Sequence, residues 1–197
     1  MDATDNQLTT GRSDTRDGGT LGRLTSRWPT AAGIAMAALT GLGIAEGGEV
    51  AAVVTASGFV YLGAAALRRR SAAWPMFLVS FVVIAIGNIS PGVDPTWWLL
   101  AVVTVLVVYG LAKGALRPAW GVPLQLAAMV VLATTAIVAV QVGATWAGVL
   151  VAAGLLAHAA WDVHHHRVER VVARSMAEFC AVLDTVLALI VLAVTFA

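Results

Sequence analysis

All four histidines of the chain fall in one nine-residue window, His158-Ala-Ala-Trp161-Asp162-Val-His164-His165-His166. At 100° per residue, His158, Asp162, His165 and Glu169 fall within about 60° of one another on a helix. Spacings of four and then three stack successive side chains one turn apart, as two histidines and a carboxylate need in order to share a divalent metal. His158, Asp162 and His165 are therefore the candidate ligands, for a metal such as zinc or iron. That face exists only if the helix continues past Val163. His166 lies at its edge and His164 points away, so both read as a polar boundary of the apolar segment.

Downstream, the last apolar segment carries Glu178 and Asp184. It runs antiparallel to the first and is joined to it by about a dozen residues. Asp184 then lies roughly 10 Å deep at 1.5 Å per residue, near the level of His158, with Glu178 nearer Asp162. These two carboxylates are the candidates for a general base, or for groups that orient the ligands. Ionisable side chains are costly enough within a membrane to be functional candidates. Three readings fit the residue types. His158 and Asp184 form a hydrogen-bonded pair that locks two helices together. Alternatively, a metal there activates water against a lipid-borne or amphipathic substrate. Otherwise the groups relay protons or cations, with Glu46 and Glu49 at the outer mouth. The site is expected to face the cytoplasm, between helices six and seven.

The elements that must position these groups follow from composition. The chain is 59% hydrophobic and 12% charged, about half the charged content of a soluble domain. Its expected fold class is all-α, a multi-pass membrane protein, because an open strand leaves backbone groups unpaired in lipid. Spans of bilayer length can be placed at 29–45, 50–67, 72–89, 96–112, 121–141, 144–163 and 176–196. Seven spans use most of the chain and leave no soluble catalytic domain. Residues 1–28, rich in Asp, Thr, Arg and Gly, read as a disordered cytoplasmic tail. A secretory signal is the competing reading, but the n-region is long and the cleavage site poor, which favours an uncleaved first helix.

The charges test the count. Every one of the 12 Lys and Arg falls on one side of a seven-span arrangement. Arg12, Arg16, Arg23 and Arg27 precede the first span, and Arg68, Arg69 and Arg70 follow the second. Lys113 and Arg117 follow the fourth span; Arg167, Arg170 and Arg174 follow the sixth. The other side carries Glu46, Glu49 and Asp94, which read as a solvated outer rim. The positive-inside rule then predicts a cytoplasmic N-terminus and an outer C-terminus; the expected location is the plasma membrane. The seven tryptophans fall at span ends, as an interfacial belt requires. Asn88, Gln125 and Gln141 are assigned to the outer ends as interfacial residues.

A weak repeat places Ala52-Val-Val-Thr55 and Leu62 to Arg68 in register with Ala101-Val-Val-Thr104 and Leu111 to Arg117, at an offset of 49. The single cysteine, Cys180, excludes an intramolecular disulfide and a cysteine-based zinc cluster and is expected to pack. Membrane di-iron hydroxylases use HxxxH and HxxHH boxes; here the positions read His158-xxx-Asp162 and Asp162-xx-His165-His166, with too few histidines for that class. No Walker, Rossmann or nucleophile-elbow motif occurs. The bilayer is the expected partner, a homo-oligomer is compatible with it, and no nucleic-acid partner is expected.

Overall fold

The computed structural model describes residues 27–90 and 92–197, so the tail expected over 1–28 lies almost wholly outside the described residues. Among the described residues seven α-helices follow one another: α1 (Trp28–Gly41), α2 (Ala51–Ala66), α3 (Ala73–Ile89), α4 (Pro95–Ala112), α5 (Val122–Ala139), α6 (Ala144–Val168) and α7 (Arg174–Phe196). Short 3-10 turns lead into α2 and α3 at Gly47–Val50 and Arg70–Ala72. No strand occurs among the described residues.

Local chemistry sets the boundaries. Proline occupies the first turn of α1, α4 and α5, where its missing N–H costs nothing. Asp94 caps α4 by accepting from the Thr96 amide at 2.8 Å. Glu46 and Glu49 form a capping box ahead of α2. At their other ends α2 and α4 close with the same paired hydrogen bonds. The Arg69 amide donates to the Ala64 carbonyl and Arg68 to Ala65; Ala115 donates to Gly110 and Gly114 to Leu111. These equivalent ends lie 46 residues apart, not the 49 of the sequence repeat.

Among the described residues, six helices, with their leading 3-10 turns, are long and apolar enough to cross a bilayer. The exception is the helix at the expected span 29–45, which is shorter than that span. Helix α1 has 14 residues, about 21 Å at 1.5 Å per residue against roughly 30 Å of hydrocarbon. It stops at Leu42, whose ψ of 120° leaves the helical region, and Gly43 follows in the left-handed conformation, φ 81°, as in a tight turn. Helix α6 errs the other way. It continues to Val168, so His164, His165 and His166 are all helical.

The bundle is built around α2, which buries 14 of its 16 residues. A helix apolar all round suits such a position. Helices α3, α4, α5 and α6 pack around it, and α7 packs on α6. Helices α3 and α4 present Leu78, Val82, Ile86, Val105 and Val108 outward, a lipid-type surface. Helix α1 docks chiefly on α7. Gly33 makes that approach possible, because a Cβ there would stand 2.7 Å from the Phe179 carbonyl oxygen. Trp28, Trp74, Phe77 and Phe179 then close the wedge between α1 and α3 at one end, with ring centroids 4.9–6.2 Å apart. All nine described Lys and Arg sit at that end, on the N-termini of α1 and α7, after α2 and α4, and in or after the last turn of α6.

Candidate functional site: a buried His/Asp/Asp centre

His158 and Asp162 stand one turn apart on α6, and Asp184 faces them from α7. Asp184 lies about 15 Å from the first residue of its helix and about 18 Å from the last, near the middle of the bundle. All three are at most 3% exposed. The His158 Nδ1 is 2.8 Å from Asp184 Oδ2 and 3.2 Å from Asp162 Oδ2. Only the first contact has hydrogen-bond geometry, and Asp162 Oδ2 is without a partner among the described residues. One nitrogen thus stands between two carboxylates but can direct its proton at only one. Donor atoms of all three side chains fit within 4.8 Å of one another.

Helix α2 supplies the rest of the centre, from residues that the sequence reading did not single out. The Tyr61 hydroxyl donates to Asp162 Oδ1 at 2.6 Å, and Ser57 Oγ lies 3.3 Å from Asp184 Oδ2 and 3.1 Å from the Val53 carbonyl. The Tyr61 hydroxyl therefore holds Asp162, while the single Ser57 proton serves either Asp184 or the nearer Val53 carbonyl. Ser57 and Tyr61 are four apart, so both project from one face of α2. Two hydroxyls four residues apart, in a helix whose other polar side chain is Thr55, were the available signal.

His165 and Glu178 stand outside the centre. His165 shares the face of His158 but lies two turns along, about 10 Å. Its Nε2 is 3.4 Å from the Gln125 amide nitrogen, and its Nδ1 is 3.1 Å from the Trp161 carbonyl. An amide nitrogen can only donate, so Nε2 accepts and Nδ1 carries the proton. Both ring nitrogens are thereby engaged. Glu178 is six residues from Asp184, which rotates it about 120° around α7. It faces α1 instead, accepting from Thr30 Oγ1, with Arg27 and His166 each 3.9 Å away. Glu169 also leaves the expected face. Beyond the end of α6 it takes a left-handed conformation and pairs with Arg174 at 3.3 Å.

Gln125 corrects the interfacial assignment. It is 1% exposed and lies in the first turn of α5, at the arginine-bearing end rather than the acidic one. Its amide ties three groups together: the nitrogen donates to the Trp120 carbonyl at 3.2 Å and faces His165, while the oxygen accepts from Trp161 Nε1 at 3.3 Å. Trp161 therefore supports His165 in addition to any interfacial role. The ring of Tyr61 fills the space between the histidines, edge-on to His158 at 5.1 Å and to His165 at 5.0 Å. Cys180 is buried beside Met176, with the sulfurs 3.5 Å apart.

A cavity of about 630 Å³ reaches this centre. Ser57, Cys180 and Asp184 line its deep part, and Glu49, Asp94 and Gln141 line the acidic end of the molecule. Its side walls are the apolar faces of α1 and α3, including Met36, Leu39, Phe81 and Ile84. One end of the cavity therefore lies at the acidic end of the molecule, opposite the arginine-bearing end that the site was expected to face. Size and lining match a small-molecule pocket, mostly apolar with a few fixed polar groups.

The donor set also fits a metal ion. Bonds of about 2.1 Å place ligand atoms about 3.0 Å apart at right angles and about 3.4 Å apart in a tetrahedron. The separations of 2.8 and 3.2 Å around Nδ1 bracket the right-angle value and fall short of the tetrahedral one, and they equally suit a hydrogen-bonded cluster. Comparison of the chain with protein-family models, with curated proteins and with solved structures finds no match, so its similarity to known proteins assigns this centre no chemistry.

Proposed function

We propose that this chain is a seven-pass plasma-membrane protein in which His158, Asp162 and Asp184 hold a divalent cation that acts on an amphipathic molecule in the cavity. The observation that carries the reading is the meeting of the two features at Asp184, which belongs to the donor group and also lines the cavity. A cation there would lie at mid-bilayer depth and polarise a water or a substrate oxygen arriving from the cavity. Ser57 and Tyr61 would orient the two carboxylates, the role outer hydrogen bonds commonly play around metal ligands. Orientation follows the charges: nine cationic residues at one end support a cytoplasmic face there, and Glu46, Glu49 and Asp94 an outer one. Helix α1, extended by Leu42 to Glu46, completes the seventh pass.

Metal content of the detergent-purified full chain tests this. Near-stoichiometric zinc or iron is expected in the parent protein and in His164→Ala, and at least a tenfold loss in Asp162→Asn and Asp184→Asn. Sub-stoichiometric metal in every sample would sink the reading.

Charge balance favours one alternative, a proton or cation path. Two carboxylates and a neutral imidazole are neutralised by one divalent cation, and equally by two protons. The cavity that links Glu49 and Asp94 to Asp184 would be the outer limb of such a path. Proton flux in proteoliposomes, compared between parent and Asp184→Asn, tests it. Equal flux and no metal would leave the cluster as a lock joining α2, α6 and α7.

A further inference from the structure

At the arginine-bearing end lies a second cavity of about 230 Å³, remote from the carboxylate centre and independent of its chemistry. Arg68, Arg69 and Arg70 from the turn after α2, Arg117 and Trp120 from the α4–α5 connection, and Val171 from the α6–α7 connection line it. Three connections separated widely in sequence thus contribute four arginines to the lining of one small hollow. Among the described residues no carboxylate lies within ion-pair distance of any of the four; the arginine ion pairs formed there involve Arg27 and Arg174. A fifth cation stands beside them, since the Arg170 guanidinium lies 5.5 Å from the centroid of the Trp120 ring. Like charges repel, so gathering them without counter-charge is unfavourable unless an anion joins them.

The backbone gives a second, independent sign. Two residues lining the hollow take left-handed conformations that their side chains disfavour, Arg68 at φ 54° and Val171 at φ 65°. A β-branched residue at positive φ is an outlier, and such strain gathers at ligand sites. The comparison with α4 is direct. Its identical helix ending places Gly114, φ 74°, where α2 places Arg68. The turn itself asks for glycine, whereas α2 carries a cation there.

We infer that this hollow binds a phosphate group, supplied by an anionic phospholipid headgroup of the adjacent leaflet or by soluble phosphate. The guanidinium fork matches phosphate oxygens in pairs, and basic pockets beside membrane helices suit headgroups of this charge. Trp120, at the membrane boundary, provides an amphipathic wall on which a headgroup can rest.

The test uses the full chain in a neutral detergent, titrated with phosphatidylglycerol, phosphatidylcholine or inorganic phosphate. Thermal unfolding and lipid retained in native mass spectra are the readouts. Phosphatidylglycerol should raise the Tm of the parent and of Arg167→Gln, with phosphatidylcholine inert. Arg69→Gln and Arg117→Gln should each weaken the apparent affinity at least tenfold. Arg68→Gly separates binding from folding: it relieves the turn, so ligand-free Tm should rise while the affinity falls. If inorganic phosphate alone reproduces the shift and competes with the lipid, the hollow is a phosphate site with a soluble source. If only the lipid acts, the source is the headgroup. Titrations of Arg68→Gly and Arg117→Gln that match the parent would overturn the inference, as would an equal loss in Arg167→Gln. Metal content should not change in any of these variants, so this result and the one at His158 fail separately.

Discussion

Replacing Tyr61 with phenylalanine removes one oxygen and leaves the ring, with its edge contacts to His158 and His165, in place. The lost interaction is a 2.6 Å bond to Asp162 Oδ1, in a centre where Asp162 is 0% exposed. A hydrogen bond to a charged group contributes about 1.5–3 kcal/mol, and water cannot replace this donor without entering the bundle. The other oxygen of Asp162 already has no hydrogen-bond partner among the described residues. A loss of about 2 kcal/mol is therefore expected, or about 4–8 °C in Tm for a chain of this length. A double-mutant cycle with Asp162→Ala isolates the bond. In that background Tyr61→Phe should be neutral or stabilising, because it removes an orphaned hydroxyl, giving a coupling of about 2 kcal/mol. Tryptophan fluorescence during heating in detergent provides the assay. A coupling below about 0.5 kcal/mol would refute the claim that α2 holds this carboxylate. If a cation is bound, the same substitution should weaken it about 10–100-fold while leaving all three ligands present.

Gly33→Ala would push a methyl to 2.7 Å from the Phe179 carbonyl and 3.1 Å from Val182 Cβ, so α1 should loosen from α7 with a loss of about 1–3 kcal/mol in thermal unfolding. Gln125→Leu should cost about 1–3 kcal/mol by leaving Trp161 and His165 without their partner, and should shift the tryptophan emission; an unchanged spectrum and Tm would contradict the network. Cys180 is the sole cysteine and lines the large cavity, so a small neutral maleimide should label it in the folded protein far faster than a bulky sulfonated one. Equal rates for the two reagents would mean that the cavity does not admit apolar molecules to that depth.

Most of the helix boundaries were legible because apolar run length, proline at first turns and the position of each arginine agree. The two failures have physical causes. Helix α1 ends early because Leu42 and Gly43 form a tight turn, which no hydropathy window registers. Helix α6 runs long because His164 to Arg167 are polar without being helix-breaking. At the site, α6 and α7 were readable, since four-residue spacing places His158 and Asp162 together and antiparallel packing brings Asp184 level. What a single helix face could not show was distance along it: His165 repeats the direction of His158 two turns away. Glu178 fails by rotation rather than depth. Ser57 and Tyr61 belong to a helix whose role at the centre became visible only once α2 was seen to be enclosed by its neighbours.

The docking of α1 on α7 bears on how the molecule is made. Of the seven described helices, α1 is synthesised first and its principal partner, α7, last. Until residues beyond Arg174 have been made, α1 lacks that partner and Gly33 stays uncovered. Asp184 arrives in that same segment, opposite a His158 and an Asp162 already synthesised. Closing α1 onto α7 and completing the carboxylate centre are then one event, and any chain that stops before α7 lacks both.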